Sequence, residues 1–149
     1  MKVKISGYPN YQYWLDRLFG WNPKQKISVR IDDHDTWSMD HTLAHIILPM
    51  LVQLKATKHG APNVDPKDVP KELRSEPAKH DICPTHFDKW DWVLDEMIFA
   101  FESKHNDWEE QFHSGERLNH TFKIDMKGRK AYQKRISNGF RLFGKYYDL

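Results

Sequence analysis

The residues Ile27-Ser28-Val29-Arg30-Ile31 alternate apolar and polar side chains, with β-branched residues on the apolar side, and so predict a half-buried strand. Positions 3–5 and 121–124 repeat the pattern more weakly. One small antiparallel sheet of three strands is the simplest way to pair them. A helical period takes over at Asp35 or Thr36. From there Leu43, Ile47, Met50, Leu51 and Leu54 share one side of a helix that runs to about Lys58. Gly60 follows, in the position that tolerates a left-handed backbone, and Pro49 predicts a kink or a break inside the helix.

A second helix opens after Pro84-Thr85, because Thr85 and Asp88 have the spacing of a capping box. Phe87, Trp90, Leu94, Met97, Ile98 and Phe101 make its apolar face, and Asp88, Asp91, Asp95 and Glu102 gather on another side. A third helix covers 128–146, with Tyr132, Ile136, Phe140, Phe143 and Tyr147 on its apolar side and Gly139 as its weak point. Together the elements predict an α+β fold in which two or three helices pack on one face of a small antiparallel sheet. Pro62, Pro66, Pro70, Pro77 and Pro84 remove amides and disfavour helix, so 60–84 reads as a Pro-rich loop with one short turn near 67–73. At 149 residues without an internal repeat, the chain reads as one domain, 1–149, with that loop inside it.

Six Trp, six Tyr and eight Phe supply large area for a core or a stacking surface. Cys83 is the only cysteine, which excludes a disulfide within the chain and suits a reducing compartment. The start, Met1-Lys2-Val3-Lys4-Ile5, lacks the apolar run of a signal peptide, and no stretch is long enough to span a bilayer, so an intracellular protein without membrane attachment is expected. The net charge is only +2, but it is unevenly spread. Lys123, Lys127, Arg129, Lys130, Lys134, Arg135, Arg141 and Lys145 face a single acid, Asp125, within 123–145, whereas 88–110 is acidic.

Three groups of residues could carry chemistry. In the basic segment, Lys130-Ala131-Tyr132-Gln133-Lys134-Arg135 and Phe140-Arg141-Leu142-Phe143 interleave cations with rings. Guanidinium forks recognise phosphates and aromatic faces stack on bases. Lys134, Arg135 and Arg141 are therefore candidate phosphate contacts, with Trp37 or Tyr132 as a stacking partner. The plainer reading makes the rings core and the cations a solvated face. A second group is His41 and His45, four residues apart on one helical face, with His34, Asp35 and Asp40 close in sequence. Asp91, Asp95 or His86 could complete a divalent-metal site from the partner helix. That spacing is common by chance in a chain with nine histidines, and no His-Glu-x-x-His motif is present. The third group is the carboxylate row itself. Two acids buried together would make an acid/base pair, but such a stripe is ordinarily a helix's wet side, with Lys89 and Lys104 near enough to pair with it. Tyr8, Tyr11, Tyr13, Trp14, Phe19 and Trp21 suit a ligand pocket, a subunit interface or a cover for the sheet equally well.

The words Asp35-Thr36-Trp37-Ser38-Met39-Asp40-His41-Thr42-Leu43-Ala44, Pro49-Met50-Leu51, Gln53-Leu54-Lys55, Lys58-His59-Gly60-Ala61-Pro62 and Trp90-Asp91-Trp92-Val93-Leu94-Asp95-Glu96-Met97-Ile98 occur in this order. Over 31–101 the chain resembles a widespread family of small proteins of tailed bacteriophages. The resemblance implies a phage accessory protein acting in the cytoplasm of an infected bacterium and implies no reaction. In that setting the leading expectation is binding of an anionic, nucleotide-type ligand, such as a host-defence nucleotide signal that the protein sequesters, with no cofactor. The alternative is a hydrolase of a phosphorylated substrate that uses a divalent metal on His41, His45, Asp91 and Asp95. A third class is an interaction or virion-associated protein working through Trp14, Trp21 and the Pro-rich loop. Nucleic acid and a second copy of the chain are further partners to weigh, and the balance of features leans away from catalysis.

Overall fold

The computed structural model describes residues 2–6, 15, 18–19, 26–74, 84–106, 108–115 and 121–147. They form a mostly helical α+β structure divided into two compact units, 1–42 and 43–149. No helix among the described residues is long and apolar enough to cross a membrane.

In the first unit, strands β1 (Lys2–Ser6) and β2 (Lys26–Arg30) pair antiparallel, with Val3 opposite Val29 and Ile5 opposite Ile27. The expected half-buried character is not found: Val29, on the apolar side of the alternation, is 52% exposed, and Ile31 just beyond the strand is 61% exposed. A 3-10 turn, Asp33–Thr36, follows. The Asp35 carboxylate closes that turn by accepting the Asp32 amide at 2.9 Å, a bond that holds the Asp35 carboxyl below its ordinary range. Helix α1 (Met39–Thr57), which belongs to the second unit from Leu43 onward, therefore starts a turn later than the sequence suggested. Pro49 neither breaks nor ends it. The residue is exposed, so its missing amide falls on a side of the helix that carries no packing.

In the second unit, helix α2 (His86–His105) and helix α3 (Met126–Tyr146) pack along their lengths. Gly139 permits their close approach: a Cβ there would stand 2.3 Å from the Glu96 carbonyl oxygen and 2.6 Å from the Ala100 Cβ. Among the described residues Val93, Leu94, Met97, Ile136 and Leu142 are the largest fully buried side chains. The third expected strand does not join β1 and β2. Instead β4 (Lys123–Ile124) pairs antiparallel with β3 (His113–Ser114), closing a local ribbon in front of α3. Its first turn is capped by the Asp125 carboxylate, which accepts the amides of Lys127 and Gly128 at 3.1 and 2.9 Å.

Other local expectations needed correction. Gly60 is not left-handed, and Gly115, with φ +81°, is the glycine that takes positive φ among the described residues. Thr85 precedes α2, but its hydroxyl donates to the Leu73 carbonyl at 3.2 Å instead of capping the helix. The described part of the Pro-rich loop holds two short 3-10 turns, Pro66–Asp68 and Lys71–Leu73, and buries Val64 and Val69 in the core. Cys83, Pro77, Trp14, Trp21 and the tyrosines at 8, 11 and 13 lie outside the described residues.

Candidate functional site

The apolar stripe expected on α1 is only partly used for packing. Ala44 and Leu51 are buried, whereas Met50 is 62% exposed and Leu54 is 44% exposed. The reason is that α1 is apolar around most of its circumference, more than one contact with α2 can cover. The uncovered flank forms one wall of a groove of about 330 Å³. Trp90, Leu94 and Met97 of α2 make its buried floor. Phe143 and Tyr146 at the end of α3 make the opposite wall together with Tyr147, itself 68% exposed. No cation or carboxylate lines the groove. Its chemistry is apolar and aromatic, with two thioethers that adapt to irregular shapes.

One wall is pinned from behind. The Tyr146 hydroxyl donates to Asp68 at 2.8 Å and accepts the Asp65 amide at 3.0 Å. Asp68, whose side chain is 7% exposed, also takes Lys145 at 2.6 Å and Arg141 at 2.7 Å. Burial pushes the Asp68 carboxyl up, but hydrogen bonds from Lys145, Tyr146 and Arg141 outweigh it and bring the carboxyl down to about 2. The bond to Asp68 in turn raises Lys145, and burial raises Tyr146. Asp65 is lowered, first by the Lys67 amide and then by Lys145. A clasp of two acids, two cations and a phenol thus ties the loop after α1 to the last turns of α3.

The candidate anion-binding residues are distributed differently from the expectation. Arg141 spends its guanidinium on Asp68 and on the Asn138 side-chain oxygen. Arg135 directs Nε and Nη2 to one oxygen of Glu96, at 2.8 and 2.7 Å, and lies 3.7 Å above the Phe99 ring. Tyr132 is stacked on Trp108 at 5.1 Å, is flanked by Phe99 and Phe112, and has its hydroxyl 3.3 Å from that of Ser103. Its ring and hydroxyl are therefore engaged by α2 and by the segment that follows it. Lys134 is exposed on α3. Trp37 is 81% exposed in the first unit, with His34 edge-on at 5.1 Å.

The alternative metal set is not assembled into one group. Asp95 is ion-paired to Lys55, and the buried Oδ1 of Asp91 lies 2.5 Å from Lys58. His45 meets the ring of His105 edge-on at 4.5 Å, and His41 is exposed on α1. His86 bonds the Ala61 carbonyl at 2.9 Å. Among the described residues no group of three or more His, Cys, Asp or Glu side chains could hold a metal ion.

Sequence reasoning missed Glu96, Asp65 and Asp68, the acids that hold Arg135, Lys145 and Arg141. Glu96 stood inside a plainly acidic stretch, and its position on the face toward α3 was readable only from the helix period. The Asp65-Pro66-Lys67-Asp68 word announces a turn, but nothing in it points to a partner almost eighty residues away. The chain matches no family model, no curated protein and no solved structure.

Proposed function

We propose that this protein works by binding, and that the groove between α1 and α3 receives the apolar face of an amphipathic helix from a protein partner. One observation carries the reading: a buried floor of Trp90, Leu94 and Met97 is left open between exposed Met50, Leu54 and Tyr147. Among the described residues three helices surround this furrow, and a helix offering side chains at i, i+3 or i+4, and i+7 matches its shape. The lining has no charge to meet a phosphate, so a nucleotide is a poor occupant. A nucleotide bound instead at Arg135 or Arg141 would have to displace Glu96 or Asp68. A metal-dependent hydrolase site would have to displace Lys55 and Lys58 from Asp95 and Asp91.

The setting we propose is the cytoplasm of a phage-infected bacterium, with the chain as an accessory protein. A photoreactive amino acid placed at position 50 during infection tests the docking. A protein cross-linked through one of its amphipathic helices, and lost from the Met50→Glu variant, is the expected result. Cross-links to a second copy alone would make that copy the occupant. Cross-links that are absent, or that survive Met50→Glu unchanged, would overturn the proposal.

A further inference from the structure

Helix α3 carries seven cations and no acid, so every neutralising carboxylate must come from elsewhere in the fold. Four cations find one. Arg129 pairs with Glu109, Arg135 with Glu96, Arg141 with Asp68, and Lys145 with Asp65 and Asp68. The other three, Lys127, Lys130 and Lys134, are exposed and have no ion-pair partner among the described residues. Their steps of three and four residues place all three on one side of the helix, along about 10 Å of its axis. Asp125, the carboxylate at that end, is occupied by the amides of Lys127 and Gly128.

We infer that this row binds the phosphate backbone of a nucleic-acid duplex through Lys127, Lys130 and Lys134. Three ammonium groups along about 10 Å of helix can each meet a phosphate, and each contact releases a condensed counterion. The side chains beside the row, Gln133, Ser137 and Asn138, are small or polar, and the exposed Met126 stands at its N-terminal end. That composition fits hydrated phosphates better than it fits a protein interface, whose centre is apolar. Lysine offers a flexible point charge without arginine's planar fork, which suits contact with phosphates in any sequence. This site is separate from the groove and does not depend on it.

The test is fluorescence anisotropy of the full chain with a 20-base-pair DNA duplex of arbitrary sequence, across a salt series. Three contacts predict that the logarithm of the association constant falls against the logarithm of salt with a slope of about −2.7, since each contributes about −0.9. Each single change, K127Q, K130Q or K134Q, is expected to make the slope shallower by about one contact, and the triple change to abolish most binding. Lys71→Gln, at an exposed lysine elsewhere, leaves the slope unchanged. An RNA duplex distinguishes the source: equal affinity supports recognition of phosphate alone, and a strong preference names the physiological duplex. Failure of the wild type to bind either duplex, binding of anionic phospholipid vesicles without binding of duplex, or a triple variant that keeps the wild-type slope would each overturn the inference.

Discussion

Replacing Asp68 by Asn removes one charge and keeps the shape and an acceptor, so it isolates what the clasp contributes electrostatically. The folded carboxyl sits at about 2 against an ordinary 3.8. That gap is nearly two pH units at about 1.4 kcal/mol each, or roughly 2 kcal/mol of stability at neutral pH. The direction follows from the lowering. The contribution is complete above the unfolded value and is lost as pH falls from about 4 toward about 2. By pH 3 roughly 1 kcal/mol should remain. Arg141 and Lys145 are each about half exposed and can rehydrate when released, so the loss stays below that of a fully buried pair. Urea unfolding of wild type and Asp68→Asn at pH 7 and pH 3 measures both numbers. A difference at pH 7 under about 0.5 kcal/mol, or one equally large at both pH values, would refute the reasoning.

Gly139→Ala places a methyl against the Glu96 carbonyl and the Ala100 side chain, forcing α2 from α3. The expected cost is about 1–3 kcal/mol, seen as a Tm lower by several degrees in calorimetry. Arg135→Ala strands the Glu96 carboxylate, 8% exposed, at a cost of about 3 kcal/mol, while the double change Glu96→Leu with Arg135→Met recovers most of it in chemical denaturation. A double variant as unstable as the single one would show that the pair is not the cause. Met50→Glu acts on an exposed side chain, so its thermal unfolding should stay within about 0.5 kcal/mol of wild type even as partner capture is lost.

Much of the architecture is legible from local pattern. Residues 27–31 and 3–5 announce their strands by alternation, and the helical period announces α2 and α3, although it placed the exposed Tyr147 rather than Leu142 and Tyr146 on the buried side of α3. What local pattern does not carry is partnership. The cations of α3 looked alike in sequence, and only the fold separates Arg135 and Arg141, held by acids from 96 and 68, from Lys127, Lys130 and Lys134. Exposure on α1 was illegible for a similar reason. Leu43, Met50 and Leu54 have the spacing of core residues, and whether they are covered depends on how many neighbours the helix has, not on its own order. Phe87 is half exposed on the same ground. Thr85 and Asp88 have the letters of a capping box, yet the hydroxyl donates to the Leu73 carbonyl twelve residues away.

Asp65 and Asp68 bond to residues 73 to 81 positions further along the chain. On the ribosome these acids therefore leave the exit tunnel long before their cations exist. Until the final turns of α3 are made the segment is tied to the start of α2, through His86 to the Ala61 carbonyl and Thr85 to the Leu73 carbonyl, so closure of the clasp is a late event in synthesis.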